Sequence, residues 1–108
     1  MKKQKFYVKL IDNGEWYLKS VVGYVFEDDT RLFIQPKNKD NPFNCYALVD
    51  IKTGLIVCTG STKKDLLKKY YDNIKIKYDI IVNGKWYKKL TLEFNELLKY
   101  YMLEEMEE

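Results

Sequence analysis

The sequence predicts an α+β domain in which antiparallel β-hairpins pack against two helices. Three observations carry this prediction. Most of the first sixty residues alternate apolar and polar side chains, which is the pattern of half-buried strands. Asn-Gly dipeptides at positions 13–14 and 83–84 each stand between apolar runs, where they favour tight hairpin turns. Two later stretches instead repeat their apolar residues at helical spacing.

The length and composition indicate one domain spanning residues 1–108. A chain of 108 residues that is 46% hydrophobic and 16% aromatic can build a single compact core. The charged start MKKQK is followed at once by alternating residues rather than by an apolar segment, and no later run approaches the roughly 18 apolar residues of a membrane span. We therefore expect a soluble, cytoplasmic protein.

The periodicity predicts about eight strands. Pro36 and the polar, aperiodic residues that follow it indicate a mobile loop over residues 36–44. The predicted strands cover residues 6–12, 16–18, 21–26, 31–35, 45–50, 55–59, 74–82 and 86–87.

Two helices complete the predicted fold. The first covers residues 62–73, with Ser61 or Thr62 as its N-cap and Asp65 in its first turn. The second covers residues 91–106, capped by Thr91, and we expect the acidic residues 104–108 to fray. The apolar faces consist of Leu66, Leu67, Tyr70, Tyr71 and Ile74 in the first helix, and of Phe94, Leu97, Leu98 and Tyr101 in the second.

A short motif occurs twice, as NGEWY at residues 13–17 and as NGKWY at residues 83–87. The similarity stops after about eight residues, so we interpret it as a turn that is used twice rather than as a duplicated domain. Tryptophan is also enriched at binding hot spots. Trp16 and Trp86 are therefore candidate anchors for a protein partner.

The two cysteines are predicted to be free thiols. Cys45 and Cys58 lie on the two arms of a hairpin that closes around residues 52–54. If Gly54 is the left-handed residue of a three-residue loop, Cys58 pairs with Leu48 and Cys45 points to the other side. A two-residue loop puts both thiols on one face, but several residues apart. In either register the thiols are too distant for a disulfide, so we expect a reducing compartment.

Catalytic and metal-binding patterns are missing from the sequence. There is no histidine, the cysteines lack a C-x-x-C spacing, and the five glycines match no phosphate-binding loop. Asp28 and Asp29 are adjacent carboxylates in a connecting turn, where solvated side chains are the usual outcome. We expect a protein that is not an enzyme and that has no cofactor and no metal.

Residues 60–64, Gly-Ser-Thr-Lys-Lys, follow a hairpin and open a helix. Over about residues 45–74 the chain resembles sheet-plus-helix modules with a G-x-[ST]-K-K motif, namely double-stranded-RNA-binding domains, HicB-type antitoxins and the arm-binding domain of phage recombinases. The resemblance implies that Lys63 and Lys64 bind phosphates at the helix N-terminus. Against this, Asp65 and Asp72 share the exposed helix face with lysines, so that this face largely neutralises itself.

The C-terminal helix contains a second group of candidate contact residues. Met102, Leu103 and Met106 continue beyond the core-facing stripe and have no evident partner within the chain. The four glutamates beside them would suit a partner surface with a basic rim.

Three functional hypotheses follow. The leading one is a small interaction protein, encoded by a phage or mobile element, that binds and inhibits a host protein, such as an anti-CRISPR or another anti-defence inhibitor. Its basis is the small size, the absence of catalytic patterns, the ten tyrosines and a Lys-rich, Arg-poor composition typical of AT-rich genomes. The alternative is a nucleic-acid-binding accessory protein that uses Lys63 and Lys64, and the third hypothesis is a homodimer.

Overall fold

A computed structural model of the chain describes the backbone of residues 2–107 and the side chains of residues 2–102. Within this range one antiparallel sheet has five strands in the order β1-β2-β3-β4-β5, and the helices follow it. The elements are β1 (Gln4–Asp12), β2 (Glu15–Val25), β3 (Leu32–Gln35), β4 (Tyr46–Asp50), β5 (Ile56–Gly60), α1 (Lys63–Lys69), a π-helical turn (Tyr70–Ile74), α2 (Lys75–Ile81) and α3 (Lys85–Glu107).

The predicted α+β class is confirmed, with antiparallel hairpins and two helical segments. The first segment consists of α1, the π-helical turn and α2, which follow one another without a break, and the second is α3. The prediction of about eight strands is wrong. The predicted strands 16–18 and 21–26 lie within the single long strand β2 and its end, and the predicted strands 74–82 and 86–87 are helical. Thr91 is not a cap but an interior residue of α3, where its hydroxyl donates to the Tyr87 carbonyl at 3.0 Å.

Residues 74–82 fit two periodicities, and the structure uses the helical one. Apolar residues at alternate positions predicted a strand. Ile74, Tyr78 and Val82 are also spaced by four, and these three pack on the core as one face of a helix. The helix leaves the other members of the alternating set, Ile76 and Ile80, 75% and 69% exposed. Tertiary packing of the period-four face therefore outweighs the local strand pattern.

The repeated motif forms a turn in both places, but it joins different elements. Asn13 and Gly14 have φ of 51° and 81°, as a type I′ hairpin turn requires, and they connect β1 to β2. The second copy joins α2 to α3, with the Gly84 amide donating to the Ile81 carbonyl at 3.0 Å. The Trp-Tyr pair is thus part of a strand in the first copy and part of a helix in the second.

The sheet is covered on both faces by the chain itself. On one face Leu32, Ile34 and Leu48 pack against Leu66 and Tyr70 of the helical segment. On the other face the β1–β2 hairpin folds over the sheet. The rings of Phe6 and Phe33 stack there with their centroids 4.1 Å apart. The buried residues of this second core are Val8, Val21, Phe33, Ala47 and Val49.

The hairpin between β4 and β5 has the three-residue-loop register. Gly54 has a φ of 69°, and Leu48 pairs with Cys58. Both cysteines are free, as predicted. Among the described residues, none of the helices combines the length and the apolar character that a membrane crossing requires.

The first helix begins at the predicted cap. Of the two predicted capping residues, Thr62 is the N-cap: its Oγ1 accepts from the Asp65 amide at 3.0 Å. The Ser61 amide donates to Asp65 Oδ2 at 3.1 Å. The loop over residues 36–44 is organised around the buried Asn41, whose side chain accepts from the Phe43 amide at 2.9 Å. The mobility of this loop and the fraying of residues 104–108 stay predictions.

Candidate interaction surface

Two hollows adjoin at Ile56, the first residue of β5, which is the last strand in the order of the sheet. The first, called here the Trp16 hollow, lies at the tip of the β1–β2 hairpin and has a volume of about 450 Å³. Its apolar lining is Leu10, Ile11, Trp16, Tyr17, Pro42, Phe43 and Ile56. Trp16 is 48% exposed, and Ile11 and Phe43 are also exposed. The hairpin tip therefore presents an open apolar surface.

Trp16 is held in place by Lys9. The ammonium nitrogen of Lys9 lies 4.7 Å from the centroid of the Trp16 ring and 3.6 Å from Glu93 Oε2 on α3. The Lys9 side chain is almost fully buried, while the Glu93 side chain is half exposed. This buried cation joins the hairpin to α3 and contacts one face of the indole.

The second, called here the Trp86 hollow, lies between the β4–β5 loop, α2 and the start of α3, with a volume of about 280 Å³. Its walls include Ile56, Val57, Ile74, Ile81, Trp86 and Leu90. Trp86 is 64% exposed. The hollow also includes polar residues, namely Asp50, Thr53, Lys77, Tyr78 and Tyr87.

The polar groups of the Trp86 hollow are organised by Asp50, a carboxylate that is only 2% exposed. Its Oδ1 accepts from the Thr53 amide at 2.8 Å and from the Thr53 hydroxyl at 3.0 Å. Its Oδ2 accepts from the Tyr78 hydroxyl and, at 2.8 Å, from the Tyr87 hydroxyl. Asp50 forms no ion pair among the described side chains. A buried negative charge is thus stabilised by neutral donors from a loop, from α2 and from α3.

A second carboxylate network lies next to Asp50. Asp29 Oδ1 accepts from Arg31 Nε at 2.8 Å, and Arg31 also bridges to Asp79 of α2 at 2.7 Å. The Tyr70 hydroxyl donates to Asp29 at 3.1 Å, and the Arg31 guanidinium lies 4.8 Å from the ring centre of Tyr78. The hydrogen bond from Arg31 holds the pKa of Asp29 below its usual value, against the opposing effect of burial. Asp29 is therefore a structural anchor rather than a solvated turn residue.

Burial and hydrogen bonding to aspartate raise the pKa of three tyrosines. For Tyr78 and Tyr87, burial is the largest cause, followed by the hydrogen bond that each donates to Asp50. For Tyr70, burial is again the largest cause, followed by its hydrogen bond to Asp29. In each case ionisation would remove the donated proton and place a second negative charge beside the aspartate.

We expect these three tyrosines to ionise only when the protein unfolds at high pH. Their folded pKa lies above the unfolded value of about 10, so their contribution to stability is complete below pH 10 and is lost as the pH rises above it. A spectrophotometric titration at 295 nm should show that these three tyrosines ionise together with the loss of far-ultraviolet circular dichroism. A single smooth transition of all ten tyrosines in the folded protein would contradict this.

The structure brings some of the predicted contact residues together and separates others. Trp16 and Trp86 line the two adjoining hollows. Met102 is exposed but lies in a different depression, on α3. The side chains of Leu103 and Met106, and those of the acidic tail 104–108, lie outside the described residues.

The two lysines of the predicted phosphate-binding motif differ in their surroundings. Lys64 is exposed, whereas Lys63 is partly buried and its ammonium lies 5.4 Å from the ring centre of Tyr24. Asp65 beside them accepts from Ser61 and pairs with Lys69 at 3.2 Å. The start of α1 therefore already holds one carboxylate where the resemblance implies a phosphate.

Sequence reasoning missed Asp50, Tyr78 and Tyr87. One signal was available, because Asp50 is a charged residue at the end of the apolar run YALV, directly before a turn. Tyr78 could have been found from its spacing of four with Ile74 and Val82. Tyr87 lies 37 positions from Asp50 in the chain, and no local pattern connects them.

Comparison with known proteins gives no relatives: no protein-family model, no curated protein and no solved structure matches the chain. Among the residues that the structure describes, no group of three or more histidine, cysteine, aspartate or glutamate side chains could hold a metal ion.

Proposed function

We propose that this protein is a non-enzymatic binding protein that docks a protein partner on the surface around Ile56. The observation that carries the proposal is that Trp16 and Trp86, which are distant in the sequence and both about half exposed or more, line two hollows that share Ile56. Exposed aromatic residues beside apolar hollows are typical of the few residues that supply most of the binding energy in protein interfaces.

The polar groups of this surface support binding rather than catalysis. Asp50 is buried and already accepts hydrogen bonds from Thr53, Tyr78 and Tyr87. A general base needs an acceptor that can reach a substrate proton. The carboxylate of Asp50 instead has its oxygens occupied by the chain's own donors.

The narrower form of the proposal is a phage or mobile-element product that inhibits a host protein, as an anti-CRISPR or other anti-defence protein does. Its support is the small size, the composition and the lack of catalytic patterns described above. The surface around Ile56 would then be the inhibitory surface, and blocking it would restore the host activity.

Capture of a partner should depend on the two tryptophans. We expect the tagged protein to retain a protein from a nuclease-treated bacterial lysate. We expect Trp16→Ala and Trp86→Ala each to reduce its recovery at least about tenfold, because alanine removes the anchor side chain. The control is Ile76→Ala, since Ile76 is even more exposed than either tryptophan but lines neither hollow. Melting curves of all three variants separate lost binding from lost folding.

Two outcomes would overturn the proposal. Equal recovery with the wild type and both tryptophan variants would place the interaction elsewhere. Recovery of nucleic acid that is lost after nuclease treatment, and lost again in the Lys63→Glu/Lys64→Glu double variant, would support the nucleic-acid-binding alternative instead.

A further inference from the structure

Three polar residues of the Trp86 hollow, Asp50, Tyr78 and Tyr87, are hydrogen-bonded to one another and are called here its floor. Tyr78 and Tyr87 both use their single hydroxyl proton to bond Asp50. A tyrosine oxygen that has donated its proton can still accept through its lone pairs. The floor therefore offers an acceptor to an incoming group, and it offers no free tyrosine proton.

The charge of the floor adds to this preference. Asp50 is buried without an ion pair among the described side chains. Arg31, the cation of the neighbouring carboxylate network, is already shared between Asp29 and Asp79. In a weakly polar surrounding, the negative charge of a carboxylate polarises the tyrosine hydroxyl that donates to it. The tyrosine oxygen then accepts a stronger hydrogen bond from an incoming donor. The floor thus selects for a donor that carries positive charge.

The walls have the complementary apolar character. Ile74, Ile81 and Leu90 line the hollow, and the indole of Trp86 stands beside them. A volume of about 280 Å³ is ample for a short aliphatic chain with a polar end. Lys77 also lines the hollow, but its side chain is exposed to solvent, so its ammonium can move away from the floor.

We infer that the Trp86 hollow receives a lysine or arginine side chain of the protein partner, with the aliphatic stem against Ile74, Ile81 and Trp86 and the cationic end on the tyrosine oxygens over Asp50. This inference rests on the proposed function, and it specifies the partner's contact as a basic residue. Charge complementarity carries it, because an apolar side chain would leave the acceptors of the floor without a donor when water is excluded.

The inference is testable without a partner, because Trp86 lies in the hollow and the protein has only one other tryptophan. In a Trp16→Phe variant the indole emission reports on Trp86 alone. Titration with n-butylammonium chloride, which mimics the lysine side chain, should change this emission and saturate. n-Butanol, at the same ionic strength, should bind about tenfold more weakly, because it lacks the charge.

A second variant links the preference to the floor. Tyr87→Phe, made in the Trp16→Phe protein, removes one acceptor but leaves Asp50 bonded to Thr53 and Tyr78. We expect it to remove most of the preference for butylammonium over butanol. Lys77→Gln should strengthen butylammonium binding severalfold by removing a like charge from the rim.

The outcomes separate this inference from the proposed function. Equal binding of butylammonium and butanol, or an unchanged preference in the Tyr87→Phe variant, overturns the basic-residue inference and leaves the tryptophan dependence of partner capture as it stands. The converse outcome is selective butylammonium binding with partner recovery that is unchanged in both tryptophan variants. It supports a cation pocket and overturns the proposed docking surface. Free butylammonium that binds while lysine-containing peptides of the form acetyl-Gly-Lys-Gly-amide do not would show a small-molecule pocket and overturn the inference of a partner side chain.

Discussion

Replacing Gly60 with alanine is expected to lower the free energy of unfolding by about 3 kcal/mol, the upper part of the usual range for overpacking. A Cβ on Gly60 would lie 2.4 Å from the Leu66 amide nitrogen and 2.6 Å from its Cα. Both are backbone atoms, so no side-chain rotation can relieve the contact. Leu66 is the completely buried residue of α1, and moving it would disturb the core between the sheet and the helix. Urea denaturation followed by circular dichroism measures the change.

Gly14→Ala is the matched control for Gly60→Ala. A Cβ on Gly14 meets nothing within 4 Å, but its φ of 81° is left-handed, so alanine there adds only the backbone cost of about 1 kcal/mol. We therefore expect Gly60→Ala to be clearly the more destabilising of the two. The reverse order would mean that α1 packs less closely on the end of β5 than its geometry indicates.

The close contact at Gly60 also gives the Gly-Ser-Thr-Lys-Lys motif a structural role. Gly60 admits the backbone of α1, Ser61 donates to Asp65, and Thr62 accepts from Asp65. These three positions of the motif are explained by helix initiation alone. Only Lys63 and Lys64 are left for the phosphate contacts that the resemblance implies, and the double charge reversal described above tests them.

The sequence predicted the first half of the fold well because the information there is local. The positive φ values of Asn13 and Gly54 and the cap at Thr62 depend on residues within a few positions of each other. β1 likewise pairs with β2, its neighbour in the chain, through a two-residue turn. Hairpins and caps of this kind can be predicted from short windows.

The second half could not be predicted in the same way because two local patterns compete there. Residues 74–82 satisfy both a strand period and a helix period, and the choice depends on contacts of Tyr78 with residues far away in the chain. The same applies to the candidate site. Trp16 and Trp86 were recognisable by residue type alone, whereas their closeness to a common Ile56 depends on the whole fold.

Replacing Asp50 with asparagine is expected to lower the free energy of unfolding by about 3–5 kcal/mol. Hydrogen bonds to a charged group contribute about 1.5–3 kcal/mol each, and Asp50 accepts them from Thr53, Tyr78 and Tyr87. Asparagine keeps the volume but replaces one carboxylate oxygen with an NH₂ group. Because this group is itself a donor, it faces donors that it cannot satisfy. Urea denaturation measures the loss.

Asp28→Asn is the control, since Asp28 also accepts from a tyrosine, Tyr71 at 2.8 Å, but in an exposed position. Water replaces that bond, so we expect little change in stability.

A double-mutant cycle shows whether Asp50 anchors α3. The loss of stability caused by Tyr87→Phe should be clearly smaller in the Asp50→Asn background than in the wild type. Equal costs in the two backgrounds would mean that Asp50 and Tyr87 act independently. In that case α3 would be held by Phe94 and by the Lys9–Glu93 pair, and the acceptor floor of the Trp86 hollow would not exist as a coupled unit.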